Sequence, residues 1–121
     1  MPRVVHFEIP ADDPGRAAAF YKEAFGWKVE KWEGPMDYWL ASTGQEGEPG
    51  IDGAITRREN LQATTNTVGV PSVDEYVAKV EKAGGKVVMP KQAVPGIGYL
   101  AYVADTEGNV LGMMESDPSE S

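Results

Sequence analysis

Residues 4–9 alternate in character, with Val5, Phe7 and Ile9 on one side and Val4, His6 and Glu8 on the other. A period of two predicts a strand with two unlike faces. Asp13 followed by Pro14 predicts a helix start: the carboxylate caps free backbone N–H groups, and proline sits where its missing N–H costs nothing. Ala17, Phe20, Tyr21 and Ala24 then recur at helical spacing, and Gly26 ends the run. Residues 27–32, 38–42 and 50–56 read as three further strands. The order is β-α-β-β-β.

The second half repeats that grammar. Residues 66–70 predict a strand, and Ser72-Val73-Asp74-Glu75 is a capping-box pattern. Val73, Tyr76, Val77, Val80 and Ala83 form an apolar stripe before Gly84-Gly85 stops the helix. Residues 86–89, 98–104 and 110–115 predict three strands. Sliding the first half onto the second superposes Ala24-Phe25-Gly26-Trp27-Lys28-Val29 on Ala83-Gly84-Gly85-Lys86-Val87-Val88. The same slide carries Gly53 onto Gly112 and His6 onto Thr65, and the matched order of caps, stripes and stops marks an internal repeat. The expected organisation is one domain over 1–121: module one about 3–57, a polar linker 58–64, module two about 65–115 and a mobile tail 116–121. Segments 45–50 and 90–96 are expected as rim loops.

Composition narrows the function classes. The chain has 121 residues, 11 Lys+Arg against 19 Asp+Glu, one His and no Cys. A net charge of -8 argues against binding a phosphate backbone or an anionic membrane. Without cysteine there is no disulfide, thiolate metal site or cysteine nucleophile. No apolar run approaches a bilayer span, and Met1-Pro2-Arg3 leads straight into a strand-like segment, so a cytoplasmic protein is expected.

His6-Phe7-Glu8-Ile9 with Asp12-Asp13-Pro14, Ala19-Phe20-Tyr21 with Phe25-Gly26-Trp27, Ser72-Val73-Asp74-Glu75, Ala83-Gly84-Gly85-Lys86-Val87 and Asp105-Thr106-Glu107-Gly108-Asn109 occur here in fixed order. Together they resemble the vicinal oxygen chelate superfamily, the glyoxalase/bleomycin-resistance/dioxygenase group. The resemblance implies an α+β fold in which two β-α-β-β-β modules form a curled mixed sheet cup. It also implies a small-molecule site in the cup, often completed by a second subunit, so a homodimer is expected. Metal-dependent members place ligands on the first and last strand of each module, where a divalent ion acts as a Lewis acid.

Carried onto this chain, those ligand positions read His6, Gly53, Thr65 and Gly112. One competent side chain does not make the three or four ligands such an ion needs. No metal and no cofactor are therefore expected. Alternation places Asp52 and Glu115 on the faces opposite the two glycines. Tyr38 and Trp39 are adjacent, so one of them turns inward, and Met113 and Met114 divide in the same way. The expected ligand-binding residues are His6, Glu8, Tyr38, Trp39, Gly53, Thr65, Gly112 and Met114, with His6 the candidate catalytic base. The remaining aromatics are read as core or subunit interface, and Gly96-Ile97-Gly98 as a turn, since a strand rather than a helix follows it.

The leading expectation is a metal-independent small-molecule-binding protein, with no nucleic-acid or membrane partner. An aromatic-lined pocket in an acidic protein suits a cationic or amphipathic ligand. The alternatives are a metal-dependent lyase, isomerase or dioxygenase of the glyoxalase type using His6, and a degenerate non-catalytic scaffold.

Overall fold

The computed structural model describes residues 2–34, 37–59 and 61–117. Ten elements follow in the order β1 (Arg3–Ala11), α1 (Pro14–Phe25), β2 (Lys28–Lys31), β3 (Tyr38–Ser42), β4 (Gly53–Arg57), β5 (Thr65–Gly69), α2 (Val73–Lys82), β6 (Lys86–Val94), β7 (Gly98–Ala104) and β8 (Val110–Ser116). They divide into two compact units, His6–Thr65 and a second built from Asn66 onward together with the residues before His6. None of the described helices is long and apolar enough to cross a membrane.

In the first unit the strand order is β2-β3-β4-β1. β1 and β4 run parallel, while β4, β3 and β2 are successively antiparallel. The second unit has the order β5-β8-β7-β6 with the same senses: β5 and β8 parallel, the other pairs antiparallel. Each half is thus a β-α-β-β-β module with the same wiring.

Local chemistry sets the helix ends. Asp13 accepts a hydrogen bond from the Arg16 N–H at 3.1 Å, and Pro14 opens α1. Gly26 closes it at φ 74°, in the left-handed region that glycine enters without a Cβ clash, and its N–H returns to the Lys22 carbonyl. Ser72 caps α2 by accepting from the Glu75 N–H at 3.2 Å. Glu115 adds a second cap from β8, accepting from the Val73 N–H at 2.9 Å, where a carboxylate also complements the helix dipole. In the turn before β8, Asp105 accepts from the backbone N–H groups of Asn109 and Glu107, which hold its carboxyl below the usual range. The Asp-Thr-Glu-Gly-Asn motif is therefore a turn device.

The core of the second unit lies between α2 and its sheet. Val73, Tyr76, Val77 and Val80 of α2 pack against Ala101, Val103, Met113 and their neighbours Val68, Val87, Tyr99 and Leu111. The alternate positions Thr67, Leu100, Tyr102, Gly112 and Met114 share the sheet's other face. In the first unit the α1 side carries an aromatic cluster. Trp27 stacks on Tyr21 with centroids 4.8 Å apart, and Phe7 meets Trp27 at 5.9 Å.

Among the boundaries that differ from the sequence expectation, three are instructive. β6 continues through the segment expected as a rim loop, because register irregularities on either side of Met89 let the strand carry Pro90 without losing its pairing. β4 begins only at Gly53. Ser116 still belongs to β8, and the Asp117 N–H donates to the Ile97 carbonyl, so the strand end is tied where a mobile tail was expected. Residues 118–121 of that tail lie outside the described residues.

Gly53 pairs with Phe7 across the parallel β1–β4 ladder, and a Cβ at Gly53 would overlap the Phe7 ring. Gly53→Ala should therefore destabilise the protein by about 1–3 kcal/mol, the usual range for overpacking. Urea unfolding measures this directly; an unchanged midpoint would contradict the packing described.

Candidate functional site

Three of the expected site residues meet on the face of the first sheet turned away from the Phe7–Trp27 cluster. Alternation on β1 puts His6 and Glu8 on that face. Glu8 is in register with Ala54 of β4, and Ala54 with Leu40 of β3, so only a methyl group stands on the strand between them. Tyr38, two residues further along β3 and opposite Thr56, reaches across that low point. Its phenol donates to Glu8 Oε2 at 2.6 Å and lies 3.2 Å from His6 Nε2. The His6 and Tyr38 rings lie 15° from parallel, and Trp32 closes on Tyr38 edge-to-face.

Burial makes this arrangement consequential. Glu8 is only 3% exposed, so its carboxylate depends on polar partners supplied by the fold. His6 is half-buried, and loss of water around its ring lowers its pKa below the ordinary 6.5. The nearby charges of Glu8 and, more weakly, Asp52 oppose that shift without overcoming it. His6 is therefore a neutral imidazole at physiological pH.

The other expected residues are placed elsewhere. Trp39 takes the opposite alternation to Tyr38 and lies under the Lys31 and Arg57 cations, 5.5 and 5.4 Å from its ring centroid. Gly53 opens toward Phe7, not toward His6. Thr65 is buried, with its hydroxyl donating to the Ala63 carbonyl at 2.8 Å. Gly112 and Met114 belong to the second unit, on the sheet face away from α2. There a Cβ on Gly112 would lie 3.1 Å from Thr67 Oγ1 and 3.3 Å from the Tyr102 ring. The glycine makes room for those two side chains.

Asp52 is the residue that sequence reasoning misplaced in effect. It does oppose Gly53, as alternation requires. Because Gly53 faces Phe7, the side opposite Gly53 is the side of His6. Asp52 is held by the Thr43 N–H at 2.8 Å and its field reaches His6. Trp32, read as core or interface, also joins this face through Tyr38. A hollow of about 520 Å³ lies under the 42–50 loop against Asp52, and one of about 380 Å³ between β1 and α1. Neither is lined by His6, Glu8 or Tyr38.

A sequence model described as bleomycin resistance protein-like N-terminal matches residues 3–44. Proteins named "Putative glyoxylase CFP32" from Mycobacterium bovis and Mycobacterium tuberculosis are 27% identical over 118 residues, which cover 91% of this chain. The chain spans 44% of the length of those curated relatives. Among solved structures, a Streptomyces coelicolor methylmalonyl-CoA epimerase in complex with 2-nitronate-propionyl-CoA superposes with a TM-score of 0.73 at 15% identity, covering 100% of this chain and 99% of that one. A Bacillus halodurans hypothetical protein gives 0.73 at 11% identity, over 98% and 97% of the two chains. The chain thus resembles the vicinal oxygen chelate superfamily in both sequence and fold. Its α+β fold of two β-α-β-β-β modules is the one the sequence resemblance implied.

The divalent ion used by metal-dependent vicinal oxygen chelate proteins does not fit the donors present here. Among the described residues no three His, Cys, Asp or Glu side chains are grouped so as to hold a metal ion. His6 and Glu8 share a face, but the Tyr38 phenol is hydrogen-bonded to one and within reach of the other. An ion bridging them would have to displace it.

The lowered His6 pKa has a definite sign in stability. Unfolding restores the ordinary value near 6.5, so the unfolded chain binds the proton more readily. The contribution is full above that value and is lost as pH falls through the lower folded one. His6 is the chain's one histidine, so NMR titration reads it without ambiguity. The midpoint should lie below 6.5, and the stability of wild type relative to His6→Gln should fall as pH drops through that window. A midpoint at or above 6.5 would contradict the site electrostatics.

Proposed function

We propose that this protein binds a small molecule, without a metal ion, on the sheet face formed by His6, Glu8 and Tyr38. The observation that carries this reading is the hydrogen-bonded chain itself. It holds a neutral imidazole beside a buried carboxylate, with the Tyr38 phenol engaged by both. Fixed polar groups set beside the aromatic rings of Tyr38 and Trp32 suit recognition of a small organic molecule. His6 is the group on this face able to take up a proton near neutrality, so it is also the catalytic residue of any acid–base reaction run there.

The proposal includes a homodimer in the cytoplasm. Phe20 and Phe25 of α1 are 58% and 63% exposed and pack edge-to-face, an apolar surface that a second copy would cover. A chain without cysteine requires no oxidising compartment.

Two measurements test the function. Titration with Ni, Zn, Mn and Fe should show no tight site, whereas one equivalent per chain lost in His6→Ala would overturn the metal-free reading. Thermal-shift screening against a small-molecule library should find ligands whose stabilisation is lost in His6→Ala. At a ligand concentration 100 times Kd the gain is about 2.7 kcal/mol. Hits unaffected by His6→Ala would place binding elsewhere.

A further inference from the structure

The hydrogen bonds at this face have a fixed direction, and the direction determines what the site can take. A phenol has one proton. Tyr38 gives it to Glu8 Oε2 at 2.6 Å, the short distance expected where a carboxylate accepts from a hydroxyl. The phenol oxygen retains lone pairs and no hydrogen, so at its 3.2 Å contact with His6 it can only accept. Nε2 must then carry the proton. In a neutral imidazole one nitrogen is protonated and the other is not, so Nδ1 is left with an open lone pair.

We propose that Glu8 and Tyr38 are positioning residues that lock His6 as the Nε2–H tautomer, making Nδ1 the proton-accepting atom of the site and selecting ligands that present an N–H or O–H group to it. This rests on the small-molecule reading above and specifies its ligand chemistry. Glu8 is the terminal acceptor, and its burial removes the water that would otherwise compete for the Tyr38 proton. Among the described residues, the charged and titratable groups acting on His6 are Glu8 on β1, Tyr38 on β3 and Asp52 just before β4. Both carboxylates favour the imidazolium that forms when Nδ1 accepts a proton. The same chain therefore orients the base and steadies its protonated form, whose Nε2–H donates to Tyr38 as before.

The test needs no ligand, so its failure is separable from failure of the binding reading. Diethylpyrocarbonate acylates an unprotonated imidazole nitrogen: the lone pair bonds to the carbonyl carbon, ethyl carbonate leaves, and the other ring nitrogen gives up its proton to solvent. With one histidine in the chain, the site of attack can be read by NMR of uniformly 15N-labelled protein above pH 7. The expected result is an Nε2–H tautomer before reaction and a single adduct on Nδ1. Tyr38→Phe removes the acceptor from Nε2, and adduct should then form on Nε2 as well, a redistribution that a purely packing role for Tyr38 would not produce. An Nδ1–H tautomer, a wild-type adduct on Nε2, or a His6 that reacts only after unfolding would each overturn the proposal. If the adduct forms on Nδ1 but no library compound binds, the acceptor assignment stands and the small-molecule reading falls.

Discussion

A carboxylate that is almost wholly withdrawn from water must be satisfied where it stands, and Glu8 is satisfied by the phenol of Tyr38. That one bond organises the first module. It joins β1 to β3 across β4, and it needs a small residue at the crossing, which Ala54 supplies at 0% exposure. It also fixes which of two adjacent aromatics faces the site: Tyr38 turns to Glu8, leaving Trp39 to lie beneath Lys31 and Arg57 on the other side. His6 then completes the chain from the neighbouring alternate position of β1. Breaking a buried charged hydrogen bond costs more than forming it contributes, because the remaining carboxylate keeps its desolvation penalty.

The two modules share strand order and sense but not content. In the second, the helix face holds the continuous apolar cluster around Val73, Val103 and Met113. Its opposite face has a buried Thr67 hydroxyl with no hydrogen-bond partner among the described residues, where the first module has a connected polar chain. A fold tolerates such divergence because its wiring depends on caps, alternation and pairing, while chemistry depends on a few side chains. Likeness of fold therefore accounts for the architecture and leaves the site to be argued from its own residues.

Features encoded over a few neighbouring residues were legible in the sequence. Asp13-Pro14, Gly26, Ser72 with Glu75, and the α2 stripe each state a local rule that the structure obeys. Strand pairing over long separations was not legible. One repeat shift places Gly53 on Gly112, yet Gly53 pairs with Phe7 on the α1 side whereas Gly112 pairs with Thr67 on the face away from α2. The position of β8 that shares the helix-side orientation of Gly53 is Met113, one residue further. A slip of one residue inverts every face along a strand, and nothing local in the sequence marks it. The orientation of Gly53 toward Phe7 and the unrecognised role of Asp52 have this one cause. β6 is the second case: Pro90 reads as a loop until the irregular pairing around Met89 is seen to accommodate it.

The account stands on Glu8 and Tyr38 acting as a unit, and a double-mutant cycle measures that most directly. Urea unfolding of wild type, Glu8→Gln, Tyr38→Phe and the double variant gives their coupling energy. The predicted result is a coupling of about 1.5–3 kcal/mol, the range for a hydrogen bond to a charged group. Single-variant losses that simply add in the double variant would contradict the claim that this bond organises the site.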